Sequence, residues 1–192
     1  MAEKSSSGRR RASDSEAAAS PVAASPASES SFAPHDHDQC RVTAIAEVER
    51  LCAERGLRLT PVRRRALELL WESHRPLGAY AMIERLSAEG WNAYPPTVYR
   101  ALDFLVTNGF AHKLHGANAF VGCTAPDAQH APQFLICTEC EEMREVVDEG
   151  VQAELRRALS ERGFMATRLS LEIEGVCAPC RAGATPAGER LS

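Results

Sequence analysis

No apolar run in this 192-residue chain approaches the roughly 18 residues that a membrane-spanning helix requires. No hydrophobic stretch follows the arginines near the N-terminus, so that end does not read as a secretory signal. An excess of basic charge is missing too: the net charge is −4, which by itself gives no reason to expect a nucleic-acid partner. The His-Glu-x-x-His motif of zinc peptidases does not occur, and neither does His-x-Glu combined with Pro-Cys-x-x-Cys, the deaminase pattern. There is no internal repeat. What remains is a chain with 44% hydrophobic residues, enough to build the cores of one or two small domains.

Seven cysteines outside a secretory context favour metal binding over disulfides. Four of them form two Cys-x-x-Cys pairs, Cys137/Cys140 and Cys177/Cys180, separated by 36 residues. Two such knuckles can close around a tetrahedral zinc ion if the chain between them folds back. A redox dithiol would need a thioredoxin-like βαβ setting, which the flanking sequence does not offer. Four thiolates make a closed, soft site whose metal contributes to folding. A second set of possible ligands is His112, Cys123, His130 and Glu145. Two imidazoles, a thiolate and a carboxylate suit zinc better than Mg²⁺ or Mn²⁺. Two sites of different hardness suggest one for folding and one for sensing. Read singly, His112 is an ordinary strand histidine and Cys123 a small buried hydrophobe. Glu141, Glu142 and Asp148 compete with Glu145 for its role. Cys52 reads as core, Cys40 has no evident role, and His74 reads as a solvated loop residue.

Residues 1–39 are mostly Ser, Ala, Pro and charge, with Phe32 the one aromatic, and read as a disordered tail. Its His35-Asp36-His37-Asp38 stretch offers metal no rigid geometry. Four helical patterns follow. The first is spaced by Val42, Ile45, Val48 and Cys52 and ends near Gly56. The second opens at Thr60-Pro61, with Thr60 as N-cap, and carries Val62, Ala66, Leu69 and Leu70 inward. Ala79, Met82, Ile83 and Leu86 mark the third, stopped by Gly90. Pro95-Pro96 launches the fourth, with Val98, Ala101, Leu102, Leu105 and Val106 on one face and Asn108-Gly109 at its end. Phe110–Leu114 and Ala119–Cys123 then read as a hairpin, which with the helices makes a winged helix. Beyond a linker, strands are expected over Gln133–Ile136 and Met143–Val147. A helix with Val151, Leu155, Ala158 and Leu159 ends at Gly163, and Leu169, Leu171 and Ile173 mark a strand with one buried face. The fold class is therefore α+β. Its expected layout is a tail over 1–39, a winged-helix domain over 40–124 with a hinge at about 114–131, a small α/β domain over 125–182, and a loose end over 183–192.

Charge is unevenly placed. Residues 40–115 hold 11 basic against 8 acidic groups, and residues 116–192 hold 7 against 12. A positive first domain beside an acidic second one implies different partners. On the fourth helix the face opposite the apolar stripe carries Thr97, Tyr99, Arg100, Asp103 and Thr107. Arginine can read guanine with two hydrogen bonds, while Thr and Tyr can hold phosphates. Arg63, Arg64 and Arg65 start the second helix, where cations oppose the macrodipole and so need another reason, for which phosphate is one candidate. Lys113 and His115 on the wing, and Tyr80 at the start of the third helix, complete the candidate DNA contacts.

Leu59-Thr60-Pro61-x-Arg63, Pro95-Pro96-Thr97-Val98-Tyr99-Arg100-Ala101-Leu102 and the two Cys-x-x-Cys pairs resemble the ferric uptake regulator family of bacterial metal-dependent repressors. The likeness runs from about residue 42 to residue 181. Gly109-Phe110-Ala111-His112-Lys113, Asn118-x-Phe120-Val121-x-Cys123 and Phe134-x-Ile136-Cys137 look most like its zinc-uptake branch. The resemblance implies a cytoplasmic homodimer with a DNA-binding winged helix and a C-terminal dimerisation domain. It implies two zinc ions per chain, a structural one on Cys137, Cys140, Cys177 and Cys180 and a regulatory one on His112, Cys123, His130 and Glu145. Repression of zinc-uptake genes from palindromic operators follows, with no membrane and no small-molecule substrate involved. Iron-type members carry His-His-x-His before the first knuckle. Here the place reads Gln129-His130-Ala131-Pro132, which weakens an iron reading and any further metal site there. The other readings are an iron, manganese or peroxide sensor of the same fold and, from another class, a zinc-dependent hydrolase or deaminase.

Overall fold

A computed structural model of the chain describes residues 37–127 and 130–183. The expected tail, apart from 37–39, and its His35-Asp36 pair lie outside the described residues, as do residues 184–192. Helix α1, His37–Glu54, starts inside the stretch expected to be tail. Asp38 lies in its first turn, where a negative charge complements the helix dipole, and pairs with Arg41 at 3.2 Å. Helix α2 is Pro61–Leu70. Thr60 takes the N-cap place in an extended conformation, but its side chain makes no capping bond, contrary to expectation. The proline ring, with φ already set for a helix, starts α2 without it.

Strand β1, Leu77–Gly78, leads into α3, Ala79–Ala88, and α4 is Pro95–Thr107. Gly90 and Gly109 end the two helices with φ of +83° and +75°, a conformation costly to any residue with a Cβ. The hairpin is β2, Ala111–Leu114, and β3, Ala119–Gly122, joined by a turn in which Asn118 is left-handed. β1 pairs with β3, so the wing is a three-stranded sheet in the order β1-β3-β2. Val48, Leu67, Met82, Leu86, Val98, Leu102, Leu105 and Phe110 form the buried heart shared by all four helices. Sequence periodicity missed Leu67 and placed Val62 inward, where it is only half-buried. This is a winged helix.

The second sheet comprises β4, Gln133–Cys137, β5, Met143–Val146, and β6, Leu171–Gly175, in the order β5-β4-β6. β4 runs antiparallel to β5 and parallel to β6, and the crossover between β5 and β6 carries α5, Glu149–Ser160. Asp148 caps α5 by accepting the Val151 N–H. A four-residue helix α6, Ala178–Arg181, follows β6. A small cluster of Leu114, Val121, Phe134 and Met143 packs the wing hairpin onto β4 and β5.

One expectation fails here. The β6 stripe does not bury a face within the chain: Ile173 is 47% exposed, and no residue of α5 or β6 is buried. Among the described residues nothing covers that side. His74 is also not simply solvated. It is half-buried, and its carbonyl accepts the Met143 N–H at 2.8 Å, tying the loop after α2 to β5. No helix among the described residues is long and apolar enough to cross a membrane.

Candidate metal centres and DNA-facing surface

Parallel pairing of β4 with β6 sets Cys137 opposite Gly175, so both strands end at the same edge and their following turns meet. Cys137 and Cys140 flank the β4–β5 turn, which Glu141 closes with a φ of 60°. Cys177 is the N-cap of α6 and Cys180 lies within it. All four sulfurs fall within 4.8 Å of one another, and none is in a disulfide. Cys140 Sγ is 3.9 Å from Cys177 Sγ. The Cys177 N–H donates to Cys137 Sγ at 3.4 Å. Burial alone would raise the Cys137 thiol, but backbone N–H groups of Cys177, Cys140 and Glu139 outweigh it and bring it down to about 6. Burial and the neighbouring sulfurs push Cys180 up. Four sulfurs so close, one already inclined to be a thiolate, fit a soft divalent cation.

The second cluster draws on both sheets. His112 comes from β2, Cys123 follows β3, His130 precedes β4, and Glu145 lies in β5. Their donor atoms also lie within 4.8 Å of one another. His112 Nε2 and His130 Nε2 stand 2.9 and 2.7 Å from Glu145 Oε1, and Cys123 Sγ is 3.6 Å from His130 Nε2. Glu145 is placed by Thr124, whose N–H and hydroxyl both donate to its Oε2, leaving Oε1 to face the imidazoles. The His112 ring leans on Phe134 and meets His130 edge-on.

The electrostatics of this cluster ask for a cation. The Glu145 side chain is 1% exposed. Burial would raise its carboxyl, yet His112, the Thr124 N–H and His130 outweigh burial and hold it down at about 2. Burial, reinforced by Glu145, pushes the Cys123 thiol up to about 12. His112 Nε2 is buried and satisfies no hydrogen bond, although a carboxylate oxygen is 2.9 Å away. A shared proton serves that arrangement poorly. A tetrahedral ion accepting from two nitrogens, a sulfur and an oxygen serves it well. Glu141, Glu142 and Asp148 are not part of the cluster, and Asp148 is used as a helix cap. Thr124 was not legible as a partner of the site, because its role depends on which β5 residue faces it.

On the winged helix, Tyr80 is 73% exposed, and Tyr99, Arg100, Asp103 and Thr107 are exposed on one side of α4. Thr97 is half-buried. Lys113 is half-buried with its ammonium 5.8 Å from the Phe120 ring centre. Tyr94, at the N-cap of α4, is exposed on the same helix start and was not foreseen. The α2 arginines are engaged within the chain. Arg63 lies 3.8 Å over the Phe104 ring and donates to the Arg58 carbonyl. Arg64 pairs with Glu49 and Glu68, and Arg65 with Glu68, Glu72 and Glu89. These carboxylates supply the reason for Arg64 and Arg65 at a helix start, while Arg63 is held by the Phe104 ring and the Arg58 carbonyl.

Fold and clusters together define a winged-helix protein with a four-thiol cluster and a mixed-donor cluster in its C-terminal half. The chain belongs to the ferric uptake regulator family, whose family model matches residues 54–174. It is 36% identical over 137 residues to the zinc uptake regulation protein of Escherichia coli (strain K12), covering 71% of this chain and 80% of that one. To the zinc uptake regulation protein of Mycobacterium tuberculosis (strain H37Rv) it is 29% identical over 106 residues, 54% of this chain and 78% of that one. The crystal structure of holo XcZur superposes with a TM-score of 0.67 at 44% identity, covering 73% of this chain and 98% of that one. A zinc uptake regulator complexed with zinc and DNA gives a TM-score of 0.69 at 35% identity, covering 74% and 96%.

Proposed function

We propose that this chain is a zinc-responsive transcriptional repressor that binds palindromic operators of zinc-uptake genes as a homodimer in the bacterial cytoplasm. The observation that carries this reading is the meeting of His112, Cys123, His130 and Glu145 from two different sheets. An ion held by all four ties the wing hairpin to the second sheet. It thereby fixes the angle of α4 relative to the surface through which two chains pair. In a dimer that angle sets the distance between two recognition helices, which must match half-sites about one helical turn, or a multiple, apart.

Two zinc ions per chain are assigned, a structural one on Cys137, Cys140, Cys177 and Cys180 and a regulatory one on the mixed cluster. Each cluster offers four protein donors, which leaves no position for the activated water of a hydrolase. The thiolate with two imidazoles favours zinc over the iron and manganese sensed on the same fold. Residues 40–124 are the DNA-reading half and residues 125–182 the pairing half. The exposed apolar side chains of α5 and β6, including Val151 and Ile173, support pairing there. Tyr80, Thr97, Tyr99 and Arg100 are assigned to DNA, with Lys113 at the backbone. Arg63 and Arg64 join them only where phosphate displaces Phe104 and Glu49.

Selection from a random duplex pool, in zinc and in chelator, tests the reading. Zinc should enrich one palindromic sequence, and metal analysis should give two zinc ions per chain, falling to one after mild chelation. Equal binding of the selected sequence with one zinc and with two would overturn it.

A further inference from the structure

The tip of the wing makes a contact that the metal clusters do not require. The turn between β2 and β3 directs two consecutive backbone N–H groups, of His115 and Gly116, at the carboxylate of Glu172 on β6. The distances are 2.7 Å to Oε1 and 2.9 Å to Oε2. Adjacent peptide N–H groups converging on one anion form a nest, and bonds to an ionised acceptor are the stronger kind. Gly116 fits because it lacks a side chain: a Cβ there would lie 3.0 Å from Glu172 Oε2.

The register explains why the contact falls where it does. Phe134 on β4 pairs with Glu145 on β5 and with Glu172 on β6. Directly paired residues share a face of a sheet, so the three side chains form one row. At one end of the row Glu145 holds Thr124 and faces the two histidines. In the middle Phe134 lies against His112. At the other end Glu172 holds the wing tip. The sheet thus grips the hairpin at its base through the metal cluster and at its tip through a carboxylate that needs no metal.

We propose that Glu172 is a positioning residue for the zinc response, a metal-independent latch that holds the wing against the second sheet in the arrangement the mixed cluster needs. Whatever holds the two parts together before the ion arrives spares the ion that work, so the latch raises the affinity of the mixed cluster. The same N–H groups, once taken by Glu172, do not reach for DNA phosphate, so the wing tip contributes orientation rather than a backbone contact. This inference rests on the reading of the mixed cluster as a zinc site.

Two readouts separate the latch from that reading. The first is hydrogen exchange at the His115 and Gly116 amides in protein treated with a mild chelator. The second is zinc affinity of the mixed cluster by chelator competition. Glu172→Ala should speed exchange at both amides and weaken the chelatable zinc by about tenfold, within the usual range of a coupling between sites. The zinc on the four cysteines should stay at one per chain. Glu172→Gln, keeping one carbonyl acceptor, should fall between. Glu174→Ala removes the same charge from the same strand and should change neither readout. Gly116→Ala leaves Glu172 in place and brings a methyl to 3.0 Å from its Oε2, so it should move both readouts the same way by a smaller amount. The double variant should lose no more than the worse single one. Unaltered exchange and zinc affinity in Glu172→Ala, or in Glu172→Gln should Glu172→Ala fold poorly, would overturn the latch. Should the unaltered protein hold no chelatable zinc, the zinc reading fails and amide exchange alone decides on the latch.

Discussion

Cys123 is where burial and metal affinity work against each other. Its thiol, pushed up to about 12 by burial and by Glu145, must give up a proton before it can bind an ion. Replacing the sulfur by a hydroxyl keeps the shape and removes the one soft donor. Cys123→Ser should therefore hold one zinc per chain instead of two and bind the selected DNA no better in zinc than in chelator. Metal analysis and a zinc-titrated gel shift check this, and an undiminished zinc response would count against the site. Gly122, one residue earlier, constrains packing rather than chemistry. A Cβ there would sit 2.2 Å from Trp71 Nε1. Gly122→Ala should displace the indole and cost about 1–3 kcal/mol, read as a lowered unfolding midpoint with zinc content unchanged. The four cysteines could be picked out from their Cys-x-x-Cys spacing, whereas the mixed set could be chosen only with the help of the family resemblance, since His112 and Cys123 taken singly have ordinary readings and Glu145 has acidic neighbours. Thr124 and Glu172 could not, since neither has a signature and each is placed by a strand register. The arginines of α2 show the opposite failure. Their charges were visible, but the glutamates that take Arg64 and Arg65 come from α1, α2 and the segments after α2 and α3, and the ring over which Arg63 lies comes from α4.

Helix α5 and strand β6 carry the apolar spacing of elements that pack against something, and both remain open in the single chain. Within the described residues that spacing finds no cover, and the proposed pairing of two chains would supply one. A charge placed in that face should therefore act on association before it acts on folding. Ile173→Asp should shift the protein from dimer to monomer in light scattering, while both zinc ions and the winged-helix spectrum remain. A dimer of unchanged stability would move the pairing surface elsewhere. Most other elements were legible because strong punctuation bounds them: Pro61, Pro95-Pro96, and the left-handed Gly90 and Gly109. β1 was not, because two residues carry no period and its strand character comes only from pairing with β3. The knuckles lie together because β4 and β6 end in register, so a metal held by the four cysteines, as proposed, would support the parallel pairing and be supported by it. Cys177→Ser should leave α1 to α4 folded and open β4 to α6 to protease, since structural zinc is worth about 10 kcal/mol or more in small domains.

For the molecule as a whole, if the mixed cluster is the sensing site as proposed, sensing is a coupling free energy between it and the proposed DNA-reading face, and such a coupling must be reciprocal. Turning an arrangement populated 1:99 into one populated 99:1 takes about 5.5 kcal/mol of preference by the ion. The winged helix and the second sheet already touch through Leu114, Val121, Phe134 and Met143, through the His74 carbonyl and through Glu172. The ion therefore adds to an existing bias and does not have to create the closed arrangement alone. A definite consequence is that DNA must tighten the chelatable zinc by the same factor by which zinc tightens DNA, while zinc on the four cysteines, which stays bound throughout, shows no such linkage. Competition against a chelator of known affinity, with the selected duplex and with a scrambled one, measures the first factor; gel shifts at saturating and depleted zinc measure the second. Equal factors identify the chelatable zinc as the ion coupled to DNA. A zinc affinity indifferent to the duplex, alongside zinc-dependent DNA binding, would mean that the ion removed by the chelator is not the ion that controls DNA binding, and would sink the assignment of the mixed cluster as the sensor.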